Sequence, residues 1–253
     1  MHTSITCPSG LQGAVRGLKM REINLFTSRK RVRDGSMFSA VLEQCWLETT
    51  DPGPYTLDSS GKLDWRKVLQ GDRLFTLLKI RTISYPEKYE FSVRCENPRC
   101  QRSKPFDWEL DLNDLPTNPL TPTAREVLLN GNRFRTLLPV SGRWVEWGLL
   151  LGEDEERLSQ IIEKATEREE LATAAMAFRV KAVEGIDASP RAKEHWIEDL
   201  DVQDFATLEA AMSAEVCGVD TGIEVVCPTC GEVFAVDLPF DRSFIRPRHK
   251  AAT

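Results

Sequence analysis

Apolar and polar residues alternate in two short stretches far apart in the chain, and each stretch runs into a cysteine. In the first, Glu90-Phe91-Ser92-Val93 leads to Cys95, and Phe106-Asp107-Trp108-Glu109-Leu110 follows Cys100. In the second, Ile223-Glu224-Val225-Val226 leads to Cys227, and Val233-Phe234-Ala235-Val236-Asp237-Leu238 follows Cys230. A two-residue period lays one face of a strand on a core. Each stretch therefore predicts a β-hairpin turning through a cysteine knuckle, with Pro98 inside one knuckle and Pro228 inside the other.

Elsewhere the apolar spacing is mostly helical. Phe38, Val41, Leu42, Cys45 and Trp46 fall at i, i+3, i+4, i+7 and i+8, an amphipathic helix with Cys45 on its core side. Leu11–Met20 reads as a strand, Arg21–Phe26 as the start of a short helix, and residues 49–62 as a loop rich in Pro, Gly and Ser. Between Asp64 and Tyr85 a helical turn leads into a helix, for which Asp72 is the expected N-cap. After the proline-rich Leu115–Thr123, residues 133–152 predict a hairpin around Ser141-Gly142 with Trp144 and Trp147 on its return strand. Core packing is the simpler use of that Trp pair, and a stacking platform for a ligand the sharper one. Residues 153–185 read as one long helix, opened by acidic residues and stopped by Gly185. Two shorter helices follow, Ser189–Leu200 with Pro190 in its first turn and Val202–Val216.

The expected fold class is α+β: a helical N-terminal unit joined to a zinc-ribbon-like pair of β-hairpins, with a mainly helical insertion between the two cysteine knuckles. In residue terms, an N-terminal strand/helix unit covers 1–88 and a discontinuous β module covers 89–118 and 220–241. A mainly helical acidic insertion spans 119–219, and a tail spans 242–253.

The cysteines give this pattern its chemistry. There are seven, an odd number, and the N-terminus lacks a basic segment followed by an apolar one, so reduced thiols or a metal site are expected rather than a disulfide framework. Cys95, Cys100, Cys227 and Cys230 form a Cys-x4-Cys and a Cys-x2-Cys pair in matched strand–knuckle–strand settings. Four thiolates from two knuckles make a closed tetrahedral zinc shell, which staples a fold and leaves no position open for catalysis. The separation of 126 residues between Cys100 and Cys227 adds on the order of 2 kcal/mol of loop closure over a compact ribbon. Structural zinc contributes roughly 10–16 kcal/mol in small domains, so the penalty does not decide the matter. The alternative is a set of cysteines acting as small buried apolar residues, or an oxidised pair.

Charge divides the chain. Residues 1–94 hold 15 Lys and Arg against 10 Asp and Glu, whereas residues 152–215 hold 7 against 17. Such segregation points to partners of different character, although a solvated acidic helix face is the simpler reading. Arg29, Lys30, Arg31 and Arg33 form a possible basic docking patch that could instead contact phosphates. The knuckles add few cations (Arg94, Arg99, Arg102 and Lys104 at the first, none at the second before Arg242), and the whole chain carries −6. Nucleic acid is therefore the disfavoured partner. No run of about 18 apolar residues is present, so no membrane span is expected. No nucleophile elbow, phosphate loop, dinucleotide fingerprint or zincin motif occurs, and His2, His195 and His249 are the only histidines. The expected class is non-enzymatic.

Pro8-Ser9-Gly10, Gly71-Asp72-Arg73 before a Leu-rich helix, Arg81-Thr82-Ile83-Ser84-Tyr85, and a strand running into Cys95 and Cys100 occur in that order. This series resembles a family from contractile-tailed bacteriophages, related to the T-even baseplate hub subunit and comprising baseplate and tail assembly proteins. The resemblance is best over residues 5–115 and returns at Cys227–Leu238; the family's usual Cys-x2-Cys is here widened to Cys95-x4-Cys100. It implies a structural subunit or assembly chaperone that binds other phage tail or baseplate proteins. It also implies the host cytoplasm as the place of assembly and the virion tail or baseplate as a destination.

Overall fold

The computed structural model describes residues 2–26, 28–100, 104–162, 175–240 and 244. It mixes helices with several small antiparallel sheets. Strands β1 (His2–Thr6), β2 (Gln12–Arg16) and β3 (Trp46–Asp51) form a three-stranded sheet in that order. Between β2 and β3 lie helices α1 (Met20–Leu25), α2 (Arg29–Arg33) and α3 (Met37–Cys45). The apolar spacing of α3 holds as far as Cys45, which is fully buried. Trp46, read as its next helical position, turns to an extended conformation (φ −76°, ψ 124°) and starts β3. The loop expected at 49–62 therefore begins three residues later, at Pro52.

A 3-10 turn at Trp65–Lys67 leads to α4 (Gln70–Ser84), the longest described helix. Leu77, Leu78 and Ile80 bury its apolar stripe, each contributing roughly 1.5–3 kcal/mol. Asp72 is not the N-cap. The chain stays extended to Leu69, so the helix starts at Gln70 and Asp72 lies in the first turn. There it is completely buried, accepting hydrogen bonds from the Ser9 amide at 3.1 Å, the Ser9 hydroxyl, and the Tyr55 hydroxyl at 2.7 Å. Burial raises its pKa, against these hydrogen bonds. The neighbouring motif residues are structural too. A Cβ on Gly71 would come within 1.8 Å of the Cys217 carbonyl oxygen. Arg73, 2% exposed, donates to Ser39, the Trp65 carbonyl and Glu155. At the far end of α4, Arg81 donates to the carbonyls of Pro86 and Phe244, and Ser84 accepts from the Leu18 amide.

The cysteine stretches fold as hairpins: β4 (Lys88–Val93) pairs with β5 (Phe106–Asp111), and β11 (Gly222–Val226) with β12 (Val233–Asp237). Their alternation is visible in burial, with Tyr89, Phe91 and Val93 inward on β4 and Ile223 and Val225 inward on β11. All these residues join one apolar cluster with the N-terminal sheet, α3 and the central part of α4.

Residues between the hairpins build a second cluster that contains more sheet than the helical reading expected. β7 (Phe134–Leu137) and β8 (Trp144–Trp147) form the hairpin predicted around Ser141-Gly142, and Gly142 has φ +67°. β9 (Val180–Val183) adds to β8. This overturns the single helix over 153–185. Helix α6 spans Gly152–Ile162 and residues 175–179 are helical, but from Val180 the chain is extended, with buried Val180 and Val183 paired to the Trp side of the hairpin. The stretch 163–174 of that expected helix lies outside the described residues. Helix α5 (Pro122–Leu129), absent from the sequence reading, is capped by the Thr121 hydroxyl accepting the Ala124 amide. α7 (Pro190–Glu198) and α8 (Val202–Ala214) appear as expected, capped by Ser189 and Asp201. Two-residue strands β6 (Thr117–Asn118) and β10 (Gly218–Val219) pair where the chain leaves and re-enters the region of the hairpins.

The acidic start of α6 is not an outward surface. Asp154 and Glu156 are buried; Glu155 pairs with Arg73 at 2.8 Å, and Glu156 pairs with Arg66 at 3.0 Å and accepts from Ser39 at 2.6 Å. Glu155 and Glu156 thus tie α6 to α3, the 3-10 turn and α4, and are engaged within the protein.

Candidate metal centre

Each knuckle is shaped by its own backbone. At the first, the Cys100 amide bonds the Asn97 carbonyl at 3.0 Å and the Asn97 side chain accepts the Arg99 amide at 2.9 Å. At the second, the Gly231 amide bonds the Cys227 carbonyl at 2.9 Å, and the Cys227 amide bonds the Glu232 carbonyl at 2.8 Å. Gly231 has φ +73° with nothing within 4 Å of a Cβ position, so glycine serves the left-handed backbone there rather than a tight space.

The two hairpins place the knuckles face to face. The sulfurs of Cys95, Cys100, Cys227 and Cys230 all lie within 4.8 Å of one another. Cys95 Sγ is 3.7 Å from Cys230 Sγ, and Cys100 Sγ is 3.8 Å from Cys227 Sγ. These separations are far beyond a sulfur–sulfur bond of roughly 2.0 Å, and all four cysteines are free thiols. Sulfurs bound about 2.3 Å from a shared tetrahedral centre lie about 3.8 Å apart, so the donor set fits a metal ion that prefers thiolates. Exposure grades across the cluster from Cys227 (1%) to the exposed Cys230.

The thiols differ in acidity. The backbone amides of Cys230 and Thr229 pull Cys227 down to about 6, against its burial. Burial and the neighbouring sulfurs push Cys95 up to about 12. Four sulfurs this close cannot all ionise side by side unless a cation shares their charge. The Asn97 amide nitrogen, 4.0 Å from Cys230 Sγ, is placed to orient that ligand.

The remaining cysteines stand apart. Cys45 and Cys217 are raised by burial to about 11 and about 12, and burial also raises Cys7. They pack as small apolar residues with inert thiols. Arg29, Lys30, Arg31 and Arg33 make up nearly all of α2, away from the cysteine cluster in sequence, and Arg29, Lys30 and Arg33 are exposed. Among the described residues none of the four takes part in an ion pair. Arg94 and Arg99 are exposed at the first knuckle, while Arg102 and Arg242 lie outside the described residues. The Trp pair divides: Trp147 is buried and stacks on Phe134 at 4.2 Å, whereas Trp144 is 40% exposed under the Arg135 guanidinium. His195 is exposed beside Glu198 and Asp199 on α7, a solvated helix face. No described helix is long and apolar enough to cross a membrane.

The residues that the sequence reading missed are those of the Ser9–Asp72–Tyr55 group. Their signal was present in Pro8-Ser9-Gly10 and Gly71-Asp72-Arg73, but nothing in one sequence shows that the two motifs meet. A family model described as T4 bacteriophage base plate protein matches residues 55–239, well over half of the chain and inclusive of both knuckles. No curated protein and no solved structure matches.

Proposed function

The chain belongs to the T4 bacteriophage base plate protein family, and from that premise we propose that it is a non-enzymatic, zinc-stapled protein of the phage tail. In this reading it acts through contacts with other tail or baseplate proteins, as a structural subunit or assembly chaperone. It works in the host cytoplasm during assembly, with the tail or baseplate as its destination. The observation that carries the proposal is the convergence of four sulfurs from two knuckles more than a hundred residues apart.

Cys95, Cys100, Cys227 and Cys230 would hold the zinc. The ion would supply charge neutralisation and a tie between the β4–β5 and β11–β12 hairpins, with no open coordination position. The resemblance motifs support a scaffold role. Gly71 clears space for β10, Asp72 holds the β1–β2 turn, Arg73 reaches α6, and Arg81 holds the Phe244 carbonyl. Each is used inside the body of the protein. The test is co-purification from infected cells. Association with tail proteins that withstands increasing salt supports the proposal, and a protein that never associates with tail components contradicts it.

A second reading, a nucleic-acid-binding protein, draws on the exposed cations of α2. It requires DNA or RNA affinity that falls steeply with salt. A flat or absent response removes it.

A further inference from the structure

We infer that the outer edge of β3 is a docking slot for an extended, basic segment of a partner polypeptide, taken up as an added strand. β3 is an edge strand, paired only with β2. Apart from the bond of the Trp46 amide back to the Leu42 carbonyl that ends α3, no described backbone hydrogen bond reaches β3 from the side away from β2. An unpaired edge is a template for another strand unless something covers or blunts it. Here no proline interrupts the strand, and the edge opens on a cleft of about 690 Å3, within the range of roughly 300–1,000 Å3 typical of ligand sites.

The far wall of the cleft is itself a fixed β element. Leu57 and Leu63 form an antiparallel bridge, and between them the Asp58 carboxylate accepts from the Ser60 amide, the Ser60 hydroxyl and the Lys62 amide. The wall is thus pre-organised, which lowers the ordering cost of binding. Apolar surface lies within reach on both sides: Leu47 is 51% exposed, and Trp46 is half-buried and edge-on to buried Trp65 at 5.2 Å. Alternate side chains of an added strand would rest on this surface.

The charge of the cleft selects the occupant. Its lining carries four carboxylates against two ammonium groups. Lys67 is 3.8 Å from Asp64, and Asp58 is engaged in its own turn. Glu43 and Glu48 are exposed and have no ion pair among the described residues. They flank the strand edge and call for a cation on the incoming segment. A second copy pairing through its own β3 would bring a second net-negative cleft against the first, which like charge disfavours. The occupant is therefore a partner segment with apolar and basic side chains in alternation. The inference rests on the proposed role only in expecting a polypeptide partner. It is tested on isolated protein, so its failure leaves the metal and tail co-purification tests unaffected.

The probe is a blocked nonapeptide of alternating valine and lysine, titrated into full-length protein while amide hydrogen exchange is followed. Binding should slow exchange in Trp46–Asp51, weaken by about tenfold in the Glu43→Lys/Glu48→Lys double variant, and vanish when alternate peptide nitrogens are methylated. Both substituted positions are exposed, so the variant's unchanged circular dichroism serves as the folding control. No binding by the peptide overturns the inference. So does binding indifferent to N-methylation, protection at a different strand edge, or self-association through β3 that excludes the peptide.

Discussion

Ser9 and Asp72, 63 residues apart, are bound to each other twice: the Ser9 amide donates to Oδ1 at 3.1 Å and the Ser9 hydroxyl donates to Oδ2. The pair fixes the β1–β2 turn to the first turn of α4. Asp72→Ala leaves the Ser9 amide and the Tyr55 hydroxyl buried without their acceptor and should cost about 3 kcal/mol, while Ser9→Ala should cost about 1–2 kcal/mol. Urea unfolding measures both. A loss below about 0.5 kcal/mol for Asp72→Ala would show that this link is dispensable.

Glu22 makes stability depend on acid. Burial opposes its charge, but Arg16, Arg21 and the Lys19 amide together bring its pKa from 4.5 down to about 2. A depressed carboxylate stabilises the fold above its unfolded pKa, and that contribution disappears as pH falls through the folded value. The window therefore runs from about pH 5 down to about pH 2, with a magnitude on the order of 2 kcal/mol. Glu22→Gln should be less stable than the wild type at pH 7, with the gap closing toward pH 2. A gap independent of pH would mean that the charge of Glu22 does not contribute.

Gly71 and Gly61 make a matched pair. The Cβ of Gly71→Ala would collide with the Cys217 carbonyl at 1.8 Å and with Gly218 Cα at 2.7 Å. Because both obstacles are backbone, the substitution should cost about 3 kcal/mol or more. Gly61 has φ +77° and open space around it, so Gly61→Ala should cost only about 1–2 kcal/mol from its left-handed backbone. Equal melting temperatures for the two variants would contradict the close approach of α4 and β10.

The two tryptophans of β8 should separate in the same way. Trp147→Ala removes a 2% exposed ring stacked on Phe134 and should cost about 3–5 kcal/mol. Trp144→Ala removes a 40% exposed ring lying under Arg135 and should cost about 1 kcal/mol or less. Thermal unfolding of both variants checks the order, and the reverse order would mean that β8 is turned over.

What the sequence made legible was local. The β4–β5 and β11–β12 hairpins were visible because their alternation and knuckles are contained within about 20 residues each. α3 follows from its i, i+3, i+4 spacing and α7 from Pro190 in its first turn. Trp46 extended a helical spacing that the chain abandons, since its place in β3 is set by pairing with Val15, 31 positions away. Val180–Val183 continues an Ala- and Glu-rich helical pattern in the sequence, and its strand character comes only from pairing with β8. Asp72 had the right residue type for a cap, but Ser9 and Tyr55 use it from outside the helix. α5 could have been found from Thr121-Pro122, a cap followed by a first-turn proline. The matched strand–knuckle–strand settings of the two cysteine pairs point to one shared site, and their four sulfurs lie within 4.8 Å of one another.

The most direct measurement is elemental analysis of the full-length protein purified without added metal, with unfolding followed before and after chelation and in Cys230→Ser. The account predicts one zinc per chain, a marked loss of stability when it is withdrawn, and weakened metal retention in Cys230→Ser. A fully folded wild type that contains no metal and is indifferent to chelator would contradict it.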